Sequence, residues 1–206
     1  MDTFLQRVYV TEVKGQARFA LNALGALNQA LRGVHEAHAN RDQRNFFHAE
    51  VFRQTHSFLT HASNISRLFW PPKLQKKKGE DPEAFHQRSE FTKRRGSSLR
   101  ELFSLGDASP LESRVLRDHL EHYDERLDHW SNTSPNRNIA SDTIGPPNAI
   151  VGLEPSDTMR WFDPTNNAFR FRGEEYALQP LATAVDELLA KAAALEDELW
   201  VRGRGA

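Results

Sequence analysis

Between Leu111 and Trp130 the chain reads LESRVLRDHLEHYDERLDHW, and three of its nine histidines (His119, His122 and His129) share this stretch with Arg114, Arg117 and Arg126. Imidazole exchanges a proton readily near neutral pH, and guanidinium is a permanent cation that grips two phosphate oxygens at once. The pair suits metal-free acid–base chemistry on a phosphodiester. Spacing decides which of them can cooperate. Leu116, Leu120, Tyr123, Leu127 and Trp130 recur at helical steps and form an apolar seam. At about 100° per residue, His119 falls about 60° from that seam and His122 about 120° on the same side, with Arg126 between them. HLEHYDER is therefore a candidate site on physical grounds alone. Arg117 and Asp124 fall on the opposite flank, with Arg117 about 140° from His122.

Other uses of the same residues compete with this one. His119 and His122, or Asp118 and His122, are close enough on a helix to share a metal ion. A metal centre inside a helical bundle draws carboxylates from several helices. The other seams offer no inward carboxylate and only His38 as a donor, so no metal or other cofactor is expected. The charged flank also suits an interface, with Arg117, Arg126, Asp124 and Glu125 forming ion pairs to a second helix or protomer. Its plainest reading is a solvated helix laced with charged side chains.

Composition narrows the classes. The chain has 206 residues, a formal net charge of -1, 38% hydrophobic residues and a mean hydropathy of -0.66, which fits one soluble domain with a substantial core. No global field attracts nucleic acid, so any attraction must be local. The absence of cysteine excludes disulfides, thiolate metal sites and thiol nucleophiles. No Gly-rich phosphate loop and no G-x-S-x-G elbow occurs. The first residues lack the basic and apolar regions of a secretory signal, and no apolar run is long enough to span a bilayer. A cytoplasmic protein without membrane contact is expected.

The elements that would position the site follow from periodicity. Val13, Ala17, Ala20, Leu24, Leu27, Leu31 and Val34 predict a helix from about residue 3 to 39. Val51, Thr55, Phe58, Ala62, Ile65 and Phe69 predict a second, from about 44 to 69, which Trp70-Pro71-Pro72 stops. His56 should face away from this seam and His61 lie on its flank. Residues 71–98 read as a basic loop insertion, with Lys73, Lys76, Lys77, Lys78, Arg88, Lys93, Arg94 and Arg95 in excess over Glu80, Asp81, Glu83 and Glu90. Lys76, Lys77, Lys78, Arg94 and Arg95 are its candidate RNA contacts. Ser97-Ser98 would cap a brief helix over 99–105. Ser109-Pro110 would start the central helix, which runs to about 130. Residues 157–173 predict a β-hairpin turning over 163–167, its aromatic residues packing on the helices. Asp157 and Asp163 read as turn chemistry. Leu181, Val185, Leu188, Ala192, Leu195 and Leu199 predict a last helix from about 180 to 201. Four helices with matching seams argue for a mainly α protein: one domain over 1–206, a four-helix bundle with a small appended β-hairpin.

In that setting, Arg117-Asp118-His119-Leu120-Glu121-His122 resembles the signature of the HEPN superfamily: an arginine, usually followed by a polar residue, then a histidine after four to six intervening residues. The match covers mainly 111–130; Arg114 and His119 repeat the same spacing. The resemblance implies a metal-independent endoribonuclease or RNA-binding relative of the toxin–antitoxin or defence kind, a homodimer with motif helices facing across a shared cleft, and an antitoxin partner. It implies His122 as the acid–base residue, Arg117 as stabiliser of the charged phosphorus centre and Asp118 as the group orienting the imidazole. His119 and Arg126 stand behind them, and Arg126 competes with Arg117 as the working arginine. The alternative is a non-enzymatic helical protein using 111–130 as an interface.

Overall fold

The computed structural model describes residues 1–37, 39–106 and 108–204, with side chains as far as 202. His38 and Asp107 lie outside the described residues. The protein is mainly helical, with a small four-stranded sheet. Helix α1 spans Thr3–Glu36 and α2 spans Arg41–Phe69. Each begins at a side-chain cap: Asp2 accepts from the Leu5 amide at 2.8 Å, and Asn40 accepts from the Gln43 amide at 3.1 Å. The long helix α6, Leu178–Arg204, packs on α1 with α2. Every residue of the expected α2 seam is buried, and Val13, Ala17, Ala20 and Leu27 of α1 join Val185, Leu188, Ala192 and Leu199 of α6 in the core. Gly33 lets α1 approach α2 closely, since a Cβ there would meet the Phe47 ring at 2.4 Å.

The basic stretch corrects the expectation of a loop over 71–98. Its greater part is helix α3, Pro82–Leu102, with Asp81 accepting from the Ala84 amide at 2.9 Å and Pro82 in the first turn. The brief helix expected over 99–105 is the end of α3. Gly96 and Leu99 are buried; Gly96 lies against the end of α2, where a Cβ would stand 2.8 Å from the Phe69 carbonyl oxygen.

The central helix is not one rod. Ser109 caps only a turn, its Oγ accepting from the Leu111 amide at 3.3 Å. Helix α4 covers Val115–Glu121 and α5 covers Tyr123–Thr133, divided at His122 with φ -101 and ψ 39. The apolar seam continues across the break: Leu116 is buried, and Leu120, Tyr123, Leu127 and Trp130 pack on the core from partly buried positions.

The expected hairpin is the middle of a larger sheet. Strands β2 (Trp161–Asp163) and β3 (Ala168–Phe171) pair antiparallel, with Phe162 opposite Phe169. The buried Asp163 carboxylate holds the connecting turn, accepting from the Thr165 amide at 2.9 Å and Asn166 Nδ2 at 3.0 Å. Strand β1 (Thr143–Ile144) adds parallel to β2, and β4 (Glu174–Ala177) adds antiparallel to β3. Strand β4 runs straight into α6 with no residue between them. Trp161, Phe162, Phe169 and Phe171 are buried, which is the packing role expected of them. Asp157, also buried, accepts from Trp130 Nε1 at 3.2 Å and Ser134 Oγ at 2.9 Å, tying the end of α5 to the sheet.

Candidate functional site

The two motif residues face different surroundings. Arg117 turns inward and is only 7% exposed. Its guanidinium pairs with Glu121 and stands 3.5 Å from Asp118 Oδ1. Burial, and then the charge of Arg67, push it below its ordinary pKa. It lines a cavity of about 280 Å³ with Ser63 and Tyr176. His122 is exposed, its Nδ1 3.3 Å from Glu125 Oε1. Its backbone amide donates to the Asp118 carbonyl oxygen at 3.1 Å, so the two residues are one turn apart. The recorded side-chain partner of Asp118 is Arg117 rather than His122, so the orienting contact expected for the imidazole is not formed in this conformation.

His119 and Arg126 meet directly. Arg126 Nε donates to His119 Nδ1 at 3.2 Å, and the His119 ring stacks on Phe171 with centroids 5.2 Å apart. Burial first, and then Arg126, lower the His119 pKa; Glu174, with an oxygen 3.9 Å from Nε2, opposes them. His119 thus joins α4 to the sheet.

The candidate RNA contacts also divide. Lys76, Lys77 and Lys78 are exposed ahead of α3, and Arg94 is exposed on it. Arg95 turns back: its NH2 donates to the Arg67 carbonyl oxygen at 2.9 Å and its guanidinium lies over Tyr9. Arg100 donates to the Phe69 carbonyl oxygen, and Arg114 donates to that of Trp70 at 3.0 Å. Three arginines therefore close the C-terminal end of α2, where unpaired carbonyls and the helix dipole favour cations. Arg100, Arg114, Lys73, Lys93 and Asp118 line an open groove of about 730 Å³.

A third concavity gave little sign of itself in the sequence. His48, Phe52 and His56 recur every four residues on α2 and face Leu120, Phe169, Asp142 and Arg160 across a cleft of about 350 Å³. Arg160 is fixed there, with Nε 2.7 Å from Asp142 Oδ1, NH2 donating to Oδ2 at 2.8 Å, and the guanidinium 4.5 Å from the Tyr123 ring centroid. Burial, then the charges of Arg117 and Arg160, lower the His56 pKa. The helical repeat of His48 and His56 was the visible signal. Asp142 and Arg160 come from distant chain and gave none.

Among the described residues no three His, Asp or Glu side chains converge as a metal-binding group. No family model, curated protein or solved structure matches the chain. Its chemistry has to be argued from these side chains: a basic groove beside α4, an exposed imidazole at its end, and a cleft with two imidazoles.

Proposed function

We propose that the chain is an RNA-directed protein of the HEPN kind, cleaving or binding RNA without a metal. The observation that carries this reading is the groove of about 730 Å³ where α4, through Asp118, borders Lys73, Lys93, Arg100 and Arg114, four cations against the two carboxylates Glu112 and Asp118, with Lys93 also paired to Glu90 at 2.7 Å. Clustered cations attract a phosphate backbone even on a chain of near-zero net charge. One turn past Asp118 stands the exposed His122, whose imidazole would exchange a proton with a 2′-hydroxyl or leaving oxygen. Arg117 would leave its carboxylates to meet the phosphate; Asp118, freed from Arg117, would orient the imidazole. The homodimer, the antitoxin partner and the kinship of this helical core to a four-helix bundle belong to the same proposal. His119 and Arg126 serve it as structure, being committed to each other and to Phe171.

The test is incubation of structured RNA with the protein in excess chelator, beside His122→Ala and Arg117→Ala. Cleavage that persists in chelator and is lost in His122→Ala supports the mechanism. Cleavage that needs a metal, or survives that substitution, overturns it. One observation favours the alternative of a partner interface: α5 buries none of its residues fully and exposes Asp124, Glu125 and Asp128. Absence of both cutting and binding of RNA decides for that interface.

A further inference from the structure

We propose that the cleft between α2 and the sheet binds an anionic ligand carrying a flat ring, of the nucleoside monophosphate class. The ring would rest on Phe52 and Leu120 beside His48, and the phosphate would lie between His56 and Arg160. The proposal is independent of RNA cleavage at α4 and α5.

Hydrogen-bonding partners distinguish the histidines of this cleft from the others. His61 Nδ1 pairs with Gln16 at 2.8 Å, His119 accepts from Arg126, and His129 Nδ1 meets Arg172 NH2 at 3.0 Å. His48, half-buried, and His56, exposed at the cleft mouth, line the same cleft and make no protein hydrogen bond among the described residues. His48 has only a ring contact, to Phe52 at 5.4 Å. Two imidazoles on one helical face, two turns or about 12 Å apart with an aromatic ring between them, offer donors at either end of an apolar surface. A volume of about 350 Å³ lies within the range of small-molecule sites.

Guanidinium donors rather than net charge select the ligand's sign, since each rim arginine stands beside a carboxylate. Arg53 is paired with Glu50 at 2.7 Å and Arg160 with Asp142, so the two arginines at the rim are oriented by carboxylates. The Asp142–Arg160 pair is part-buried and stacked on Tyr123, so its guanidinium is already placed when a phosphate arrives. The groups acting on His56 are Arg117 from α4 and Arg160 before β2, with His48, Arg53 and Asp142 sharing its cleft. Burial first, and then the two arginines, lower the His56 pKa. A bound anion reverses that balance, so binding takes up a proton and tightens as the pH falls toward the histidine range.

Calorimetric titration of the full chain with adenosine and uridine monophosphate, the matching nucleosides and inorganic phosphate tests this at about pH 6 and about pH 8. The variants are His48→Gln and His56→Gln, with His86→Gln on α3 as control. The expected result is mononucleotide binding that is stronger at the lower pH, about tenfold weaker in each cleft variant, and unchanged in His86→Gln. The His56 imidazole resonance should titrate at higher pH with the ligand present. No mononucleotide binding at millimolar concentration, or undiminished binding in both cleft variants, overturns the proposal. Inorganic phosphate binding as tightly as the nucleotide overturns the ligand class. RNA cleavage assayed on the same variants separates the two sites: its failure leaves mononucleotide binding unaffected.

Discussion

Arg126 Nε donates to His119 Nδ1 across 3.2 Å. Arginine has no acceptor, so Nδ1 must be unprotonated and the His119 proton must sit on Nε2, toward Glu174. A residue that stood as a second-rank proton carrier is thereby a structural acceptor. Arg126→Ala and His119→Ala should each lower stability by about 1–2 kcal/mol. Urea unfolding of both and of the double variant should give a coupling of about 0.5–1.5 kcal/mol. Additive losses would show that the contact contributes nothing.

His56, His61 and His119 all have pKa values lowered chiefly by burial. A depressed value means that the folded state binds fewer protons than the unfolded chain, so stability rises with pH. That stability is complete above the unfolded histidine value of about 6.5 and is lost as the pH falls through the folded values. The urea midpoint should therefore drop between about pH 7 and pH 5, and less steeply in His119→Gln. A flat profile would contradict the partial desolvation of these rings.

Gly96 sits where a Cβ would meet Pro71 Cδ at 2.6 Å and the Phe69 carbonyl oxygen at 2.8 Å. The backbone partner cannot rotate away, so Gly96→Ala should cost about 1–3 kcal/mol by forcing α3 off the end of α2. Hydrogen exchange should speed up across 82–102 first. Exchange that rises equally over the whole molecule would deny α3 its separate docking.

Lys76, Lys77 and Lys78 are exposed, whereas Arg95 is held by the Arg67 carbonyl oxygen. If RNA binds, replacing the three lysines with alanine should reduce the slope of log affinity against log salt by about 2 while leaving stability unchanged. Arg95→Ala should instead lower stability by about 1 kcal/mol. Paired measurements of salt dependence and urea midpoint check both, and a reversed pattern would reassign the two groups.

The three long helices were legible because each has an apolar repeat at steps of three and four. Helix α3 was not. Of its residues only Gly96 and Leu99 are fully buried, so no seam rises above its charges, and the Asp81-Pro82 start was its one local signal. The division of the central helix was hidden for the opposite reason: its seam runs unbroken through His122. That continuity made Arg117 and His122 look like two points on one wheel, whereas one is buried and the other faces solvent. The sheet's extent was also hidden, since β1 and β4 are short and expose no alternating pattern. Half of the α2 cleft was written in the spacing of His48, Phe52 and His56. The other half depends on how the sheet is laid across the helices.

The direct passage of β4 into α6 bears on how this gene can vary. Leu178, the first residue of α6, is fixed by its amide donating to the Asn167 carbonyl oxygen at 3.1 Å. One codon inserted between Ala177 and Leu178 would turn the helix by about 100°, or else pull the strand out of register. Either outcome takes Val185, Leu188, Ala192 and Leu199 away from α1 together. Length changes should therefore be purged at this joint and tolerated in the exposed turns over 146–152.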